Sequence, residues 1–270
     1  MAARKSTARR LATAGARRVS VYDMAQLKWV ESGPTGVWQQ DIRSDRAAGR
    51  YFGGVRFAPM ARSGAHRHLG PAASYMLAGL LVDHATVAPR GNALINMTGA
   101  VHDVICYEPV LNVARVDGAI LYPDKEDGVL NELGLRAAAA GEKVDTTIGQ
   151  TPNLCFPIEG VTAVPGPVPG AARRMLYDYA NEPWQARFVN LLLAPGAKIP
   201  AHRTTGMTDL FVLAGEARFG GEAAGSGCYV VLEAETELAI ETRFGCRLLA
   251  WADGPVQWLD GAKRPDLYGH

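Results

Sequence analysis

The sequence predicts an all-β fold built as two tandem antiparallel barrels or jelly rolls, and three observations predict it. The first is an internal repeat. FAPMARSGAHRHLG, ending at Gly70, and LAPGAKIPAHRTTG, ending at Gly206, align at an offset of 136 residues, with seven of thirteen positions identical between residues 58 and 70 and their counterparts. Without a gap, the same offset carries Leu77-Ala78-Gly79 onto Leu213-Ala214-Gly215 and Gly91 onto Gly227. A period this long means two domains of one kind rather than a solenoid of short units. The second observation is that apolar runs rich in Val, Ile, Leu, Tyr and Phe recur too closely for ordinary helices to fit between them. The third is a load of 30 Gly and 16 Pro, which suits many short strands joined by turns.

Taken in order, residues 1–18 (MAARKSTARRLATAGARR) hold six basic side chains and no acidic one, leaving 22 basic against 27 acidic, a net −5, in the body. This Ala/Ser/Thr/Arg stretch reads as a disordered tail separate from the folded body. Its Arg-rich, acid-poor composition is also that of an organelle transit peptide, whereas no apolar segment follows Arg9-Arg10 to make a secretory or twin-arginine signal. Residues 19–125 form the first domain, with strands expected in YFGGVRFA, SYMLAGLL, NALINM and HDVICYEPVLNVARV. Residues 126–164 read as a linker with one short helix over LNELGLRAAAAGE (130–142), leading into the turn-rich VPGPVPG. Residues 165–262 form the second domain, through RFVNLLLA, DLFVLAG, CYVVLEA, LAIET and RLLAWA.

Composition narrows the function classes. With 48% hydrophobic and 20% charged residues the chain is that of a soluble globular protein, and runs such as YMLAGLLV fall far short of the roughly 20 residues that span a bilayer. Cys106, Cys155, Cys228 and Cys246 are scattered without a CxxC pair, which argues against a disulfide framework or zinc knuckle and fits a reduced cytoplasm. No aromatic residues interleave with the basic tail, so nucleic-acid binding is not expected.

The chemistry lies in AHRHLG. Gly64, His66, His68 and Gly79 resemble the first motif of the cupin superfamily, and Thr98-Gly99-Ala100-Val101-His102 resembles its second. The resemblance implies a bicupin, two small jelly-roll barrels in one chain, with His66, His68 and His102 as metal ligands. Strand geometry agrees: residues i and i+2 share a face, so His66 and His68 project into the barrel while Arg67 points away. The glutamate that the family places between its histidines falls on Ala72, which cannot ligate. Three neutral ligands leave the ion its full +2 charge. In this the first copy is similar to acetylacetone dioxygenase and 2,4'-dihydroxyacetophenone dioxygenase, and VDGAILYPDKEDG is similar to the segment that closes the barrel in the second. In the latter type an acidic residue soon after the turn glycine approaches the metal; here LLVDHATV offers His84 as a fourth ligand and Asp83 as its runner-up. Two-residue steps from Ala72 and His102 place Ser74, Met76, Val104 and Cys106 on the pocket wall, a place each shares with plain core packing. No base accompanies Cys106, so it is not read as a nucleophile.

The second copy has lost this chemistry. The offset places His66 on His202, His68 on Thr204, Ala72 on Thr208 and His102 on Leu238. A single histidine cannot hold an ion in this frame, so His202 is expected to be a hydrogen-bonded core residue and the second barrel structural. Its sequence is similar to the cupin of the ChrR-type anti-sigma factors, without their helical sigma-binding domain. The implied function is a non-haem Fe(II) dioxygenase, an oxidoreductase that takes O₂ and cleaves a C–C bond of a small hydroxyketone or dicarbonyl substrate. Zn, Ni or Cu also suit three imidazoles. The alternatives are a non-redox Zn or Ni isomerase, cyclase or hydro-lyase, and a binding module without catalysis. The expected assembly is a monomer or homodimer.

Overall fold

The computed structural model describes residues 19–45, 47–84, 86–122, 153–179 and 186–269. The basic tail and the helix expected over 130–142 lie outside these residues. Within them the chain is almost entirely strand, with short 3-10 turns at Met24–Gln26 and Ile158–Gly160.

Two large antiparallel sheets share one strand order. The first runs Asn153–Pro157, Asn92–Asn96, Ala72–Ala78, Val110–Asp117, Arg50–Phe57, Val37–Asp45, Val30–Glu31. The second runs Val19–Asp23, Cys228–Leu232, Thr208–Phe219, Cys246–Ala252, Arg187–Leu193, Ala171–Asp178, Val164–Pro165. A smaller layer closes each into a jelly roll. In the first half, His66–His68 lies between Val101–His102 and Ile120–Leu121; in the second, Lys198–Thr204 lies between Glu237–Glu241 and Val256–Trp258. The register repeats at the sequence offset, since His66 faces His102 and His202 faces Leu238.

The outermost strand of each large sheet is exchanged. Val19–Asp23 pairs with Cys228–Leu232 in the second sheet, and Asn153–Pro157 pairs with Asn92–Asn96 in the first. Each exchanged strand runs into a 3-10 turn and then a two-residue strand, Val30–Glu31 or Val164–Pro165, at the edge of its own half's sheet. This departs from boundaries drawn at 19, 125 and 164: the first segment of each copy is spent on covering the other copy's open edge, a need that composition does not report. Leu267 and Tyr268, beyond residue 262, are also buried in the second barrel's core.

Alternation along the strands sorts three interiors. In Arg50–Phe57, Tyr51, Val55 and Phe57 face the first barrel, while Phe52 faces outward into an aromatic cluster between the two large sheets. There Phe52 meets Tyr229 and Trp251 at 5.7 and 5.5 Å, and Phe188, the repeat counterpart of Phe52, stacks on Trp251 at 4.6 Å. The repeated glycine also has a steric reason. A Cβ on Gly70 would sit 2.0 Å from the Asp117 carbonyl oxygen, and one on Gly206 would sit 2.8 Å from the Asp253 carbonyl carbon.

Candidate metal centre

Three short elements bring the histidines together. The HRH strand turns His66 and His68 to one side, and a turn with Gly99 at φ 86° sends the chain back beside it. The Gly99 N–H donates to the His68 carbonyl (2.7 Å) and the His68 N–H to that of Ala100 (2.9 Å), which sets His102 opposite His66. All three side chains are buried, and their Nε2 atoms form a triangle of 3.2, 3.1 and 3.0 Å.

The tautomers follow from the other ring nitrogens. His66 Nδ1 lies 2.7 Å from the Gly64 carbonyl oxygen and His102 Nδ1 lies 3.0 Å from Asp83 Oδ2. Both partners accept, so both Nδ1 atoms donate outward and both Nε2 atoms are turned into the triangle. Burial, helped by His102 and opposed by the Gly64 carbonyl, pushes the His66 pKa down to about 3, and burial likewise holds His68 well below the usual histidine range. These two rings are neutral at physiological pH. Three ring nitrogens within 3.2 Å of one another in a buried site, two of them on neutral rings, make a place for a cation. Nitrogens about 2.1 Å from one ion stand about 3.0 Å apart at right angles and about 3.4 Å apart at tetrahedral angles. The observed triangle fits three ligands on one face of an octahedron, so these residues could hold a divalent metal.

The other expected site residues divide. His84 is exposed and is not part of the histidine group. It directly follows Asp83, whose side chain is buried. Asp83 does not reach the Nε2 triangle either; it stands behind His102, as the carboxylate that fixes a ligand's tautomer. Ser74 and Val104 line the cavity beside the histidines. Met76 and Cys106 point inward as parity requires, but they pack with Phe57, Leu81 and Val110 in the apolar core of the first barrel rather than on the cavity wall. Burial raises the Cys106 thiol to about 12, which leaves it inert.

The cavity has a volume of about 200 Å³. Asn96, Asn112, Tyr51 and Tyr122 add polar groups to it that sequence reasoning did not single out, and none of its described lining residues is charged. Tyr122 stacks on His66 with ring centroids 5.0 Å apart. The second barrel keeps the frame without the site. His202 Nδ1 donates to the Pro200 carbonyl at 2.8 Å, as His66 does to Gly64, but its neighbours are Thr204 and Leu238 and its Nε2 is buried without a partner.

Comparison with known proteins agrees with this architecture. Residues 17–117 match the family described as the ChrR Cupin-like domain. The ChrR likeness is thus found on the metal-site half, whereas the sequence alone suggests it for the second half. No curated protein matches the chain. Among solved structures, a candidate dioxygenase from Nostoc punctiforme aligns over 91% of this chain and 85% of its own, with 10% identity and a TM-score of 0.65. A variant of oxalate decarboxylase from Bacillus subtilis aligns over 89% of this chain and 79% of its own, with 12% identity and a TM-score of 0.60. At such identities the likeness is one of fold alone: both halves are jelly rolls, and the first carries the match to the ChrR Cupin-like domain.

Proposed function

We propose that the first barrel is a metal-dependent oxygenase, in which His66, His68 and His102 hold Fe(II) and a small hydroxyketone or dicarbonyl is cleaved at a C–C bond with O₂. The observation that carries this reading is the convergence of the His66, His68 and His102 Nε2 atoms, within 3.2 Å of one another, in a buried cavity with no carboxylate among its described lining residues. When bound, the ion supplies Lewis acidity that stabilises the enolate of a chelating substrate, and open positions for substrate and O₂. The chain supplies the rest. Leu81, Leu94, Val104 and Val116 keep the cavity dry, and Ser74 and Asn112 offer neutral hydrogen-bonding groups. No carboxylate is among the described lining residues, so the site suits a substrate acidic enough at C–H or O–H to lose its proton to solvent water before it enters the cavity. A cavity of about 200 Å³ selects compact substrates.

The test is the metal content of protein purified without air or added metal. Wild type and His202→Ala are expected to carry about one iron per chain, as one three-imidazole site would, and His102→Ala none. Oxygen uptake with β-diketones and hydroxyketones then checks the chemistry. Zinc or nickel with oxygen-independent turnover would instead favour the isomerase, cyclase or hydro-lyase reading. A metal-free wild type, or metal lost only in His202→Ala, would overturn the assignment of the working half.

A further inference from the structure

We infer that Asn153, delivered by the exchanged strand of the second half, is a positioning residue of the metal centre in the first. Its Nδ2 donates to Asp83 Oδ2 at 3.1 Å, and the same oxygen accepts the His102 Nδ1 proton at 3.0 Å. Asp83 has a fully buried side chain, so a second donor on the oxygen that accepts the His102 proton helps set where the carboxylate stands and thereby how the His102 ring is turned. This inference rests on the three histidines holding a metal.

The repeat gives an independent reason to connect Asn153 with the site. Asn153 pairs with Asn96, and at the corresponding place in the second barrel Val19 pairs with Leu232. Where the three-histidine centre exists, this pair of strand positions is polar; where it has been lost, both members are apolar. Plain edge pairing needs only the backbone, which both barrels supply equally, so the amide side chain is there for the site. The barrel without a metal centre therefore contributes through its first strand to the barrel that has one.

Cobalt(II) titration of the full chain, followed by visible absorption and by competition with a chelator, tests this. Asn153→Val is expected to weaken cobalt binding about tenfold, the low end for loss of an outer partner of a ligand, with an unchanged apo melting temperature. Asn153→Thr has the same shape as valine but keeps a donor, and should bind more tightly than Asn153→Val. Asp83→Asn should weaken binding at least as much, and the double variant Asp83→Asn/Asn153→Val no further than Asp83→Asn alone, because both act through one carboxylate. Equal affinity of Asn153→Val and wild type, equal affinity of the Val and Thr variants, or losses that multiply in the double variant would each overturn the inference while leaving the three-histidine site standing. Failure of the wild type to bind cobalt would remove the metal reading itself, and the inference with it.

Discussion

Asn112 sits on the wall of the first cavity, buried, with its side-chain oxygen unpartnered. An unmet buried acceptor costs about 1–3 kcal/mol, and it persists here beside a place where a substrate hydroxyl can meet it. The repeat shows what happens when that need disappears: Ser74, Asn96, His102 and Asn112 correspond to Leu210, Leu232, Leu238 and Leu248, all buried in the second barrel's core. Asn112→Leu should accordingly raise stability by about 1–2 kcal/mol, seen as a higher melting temperature, with metal content retained and turnover reduced. A lower melting temperature would mean that the oxygen has a structural partner. This comparison also marks what was legible at this scale. His66, His68 and His102 were readable because two motifs state them and strand parity aims them. Asn96 and Asn112 were readable in principle, since the same offset that exposed His102→Leu238 exposes two further polar residues turned to leucine. Parity correctly turned Met76 and Cys106 inward, but it does not report depth along the barrel axis, which put them in the core. His84 and Asp83 were adjacent choices for one role; one is exposed and the other serves His102 from behind, a distinction set by the turn in which the Asp83 N–H donates to the Thr86 carbonyl at 2.9 Å.

Among elements, the exchanged strands are what the sequence concealed. Val19–Asp23 and Asn153–Pro157 read locally as ordinary short strands beside a tail and a linker, and nothing local says that each pairs with a strand far away in the chain. Strands Ala72–Ala78 and Thr208–Phe219, by contrast, carry the repeat on their faces and were legible from it. After the crossover the chain must be returned to its own half, and for the second half Glu159 in the 3-10 turn does part of this by a two-pronged ion pair with Arg247 at 2.6 and 2.7 Å. The Glu159 side chain is 59% exposed, so the pair stabilises by no more than about 1 kcal/mol. Its hydrogen bond to Arg247 holds the Glu159 carboxyl below its ordinary range, so the contribution is present above that range and is lost as pH falls through the lowered value. Glu159→Gln should thus melt slightly below wild type at neutral pH and together with it in strong acid. A difference that persists in acid would assign the effect to packing of the turn instead.

For the molecule as a whole, the crossover and the buried seam between the large sheets predict that the two barrels unfold as one. At the seam Arg115 is bound to Asp117 at 2.9 Å, to Asp253, and to the Trp251 carbonyl at 3.2 Å, while Arg43 from the first half binds Asp209 from the second. Asp117 and Asp253 are repeat counterparts, so this network lies where the two copies face each other. Burial of the Arg115 guanidinium works against its charge, but the carboxylates of Asp117, Asp253 and Asp209 outweigh that and keep it protonated. Removing one partner from such a cluster leaves buried charge uncompensated, and Arg115→Ala should cost about 3–5 kcal/mol. That loss falls on both barrels together, because neither sheet can release its exchanged strand without baring an edge of the other. Calorimetry should therefore show a single transition for wild type, shifted down as a single transition in Arg115→Ala. Two resolved transitions, with the variant lowering only one, would mean that each barrel folds without the strand it borrows, and the exchange would then be decoration on two independent domains rather than the reason a barrel without a site has to stay attached to one that has it.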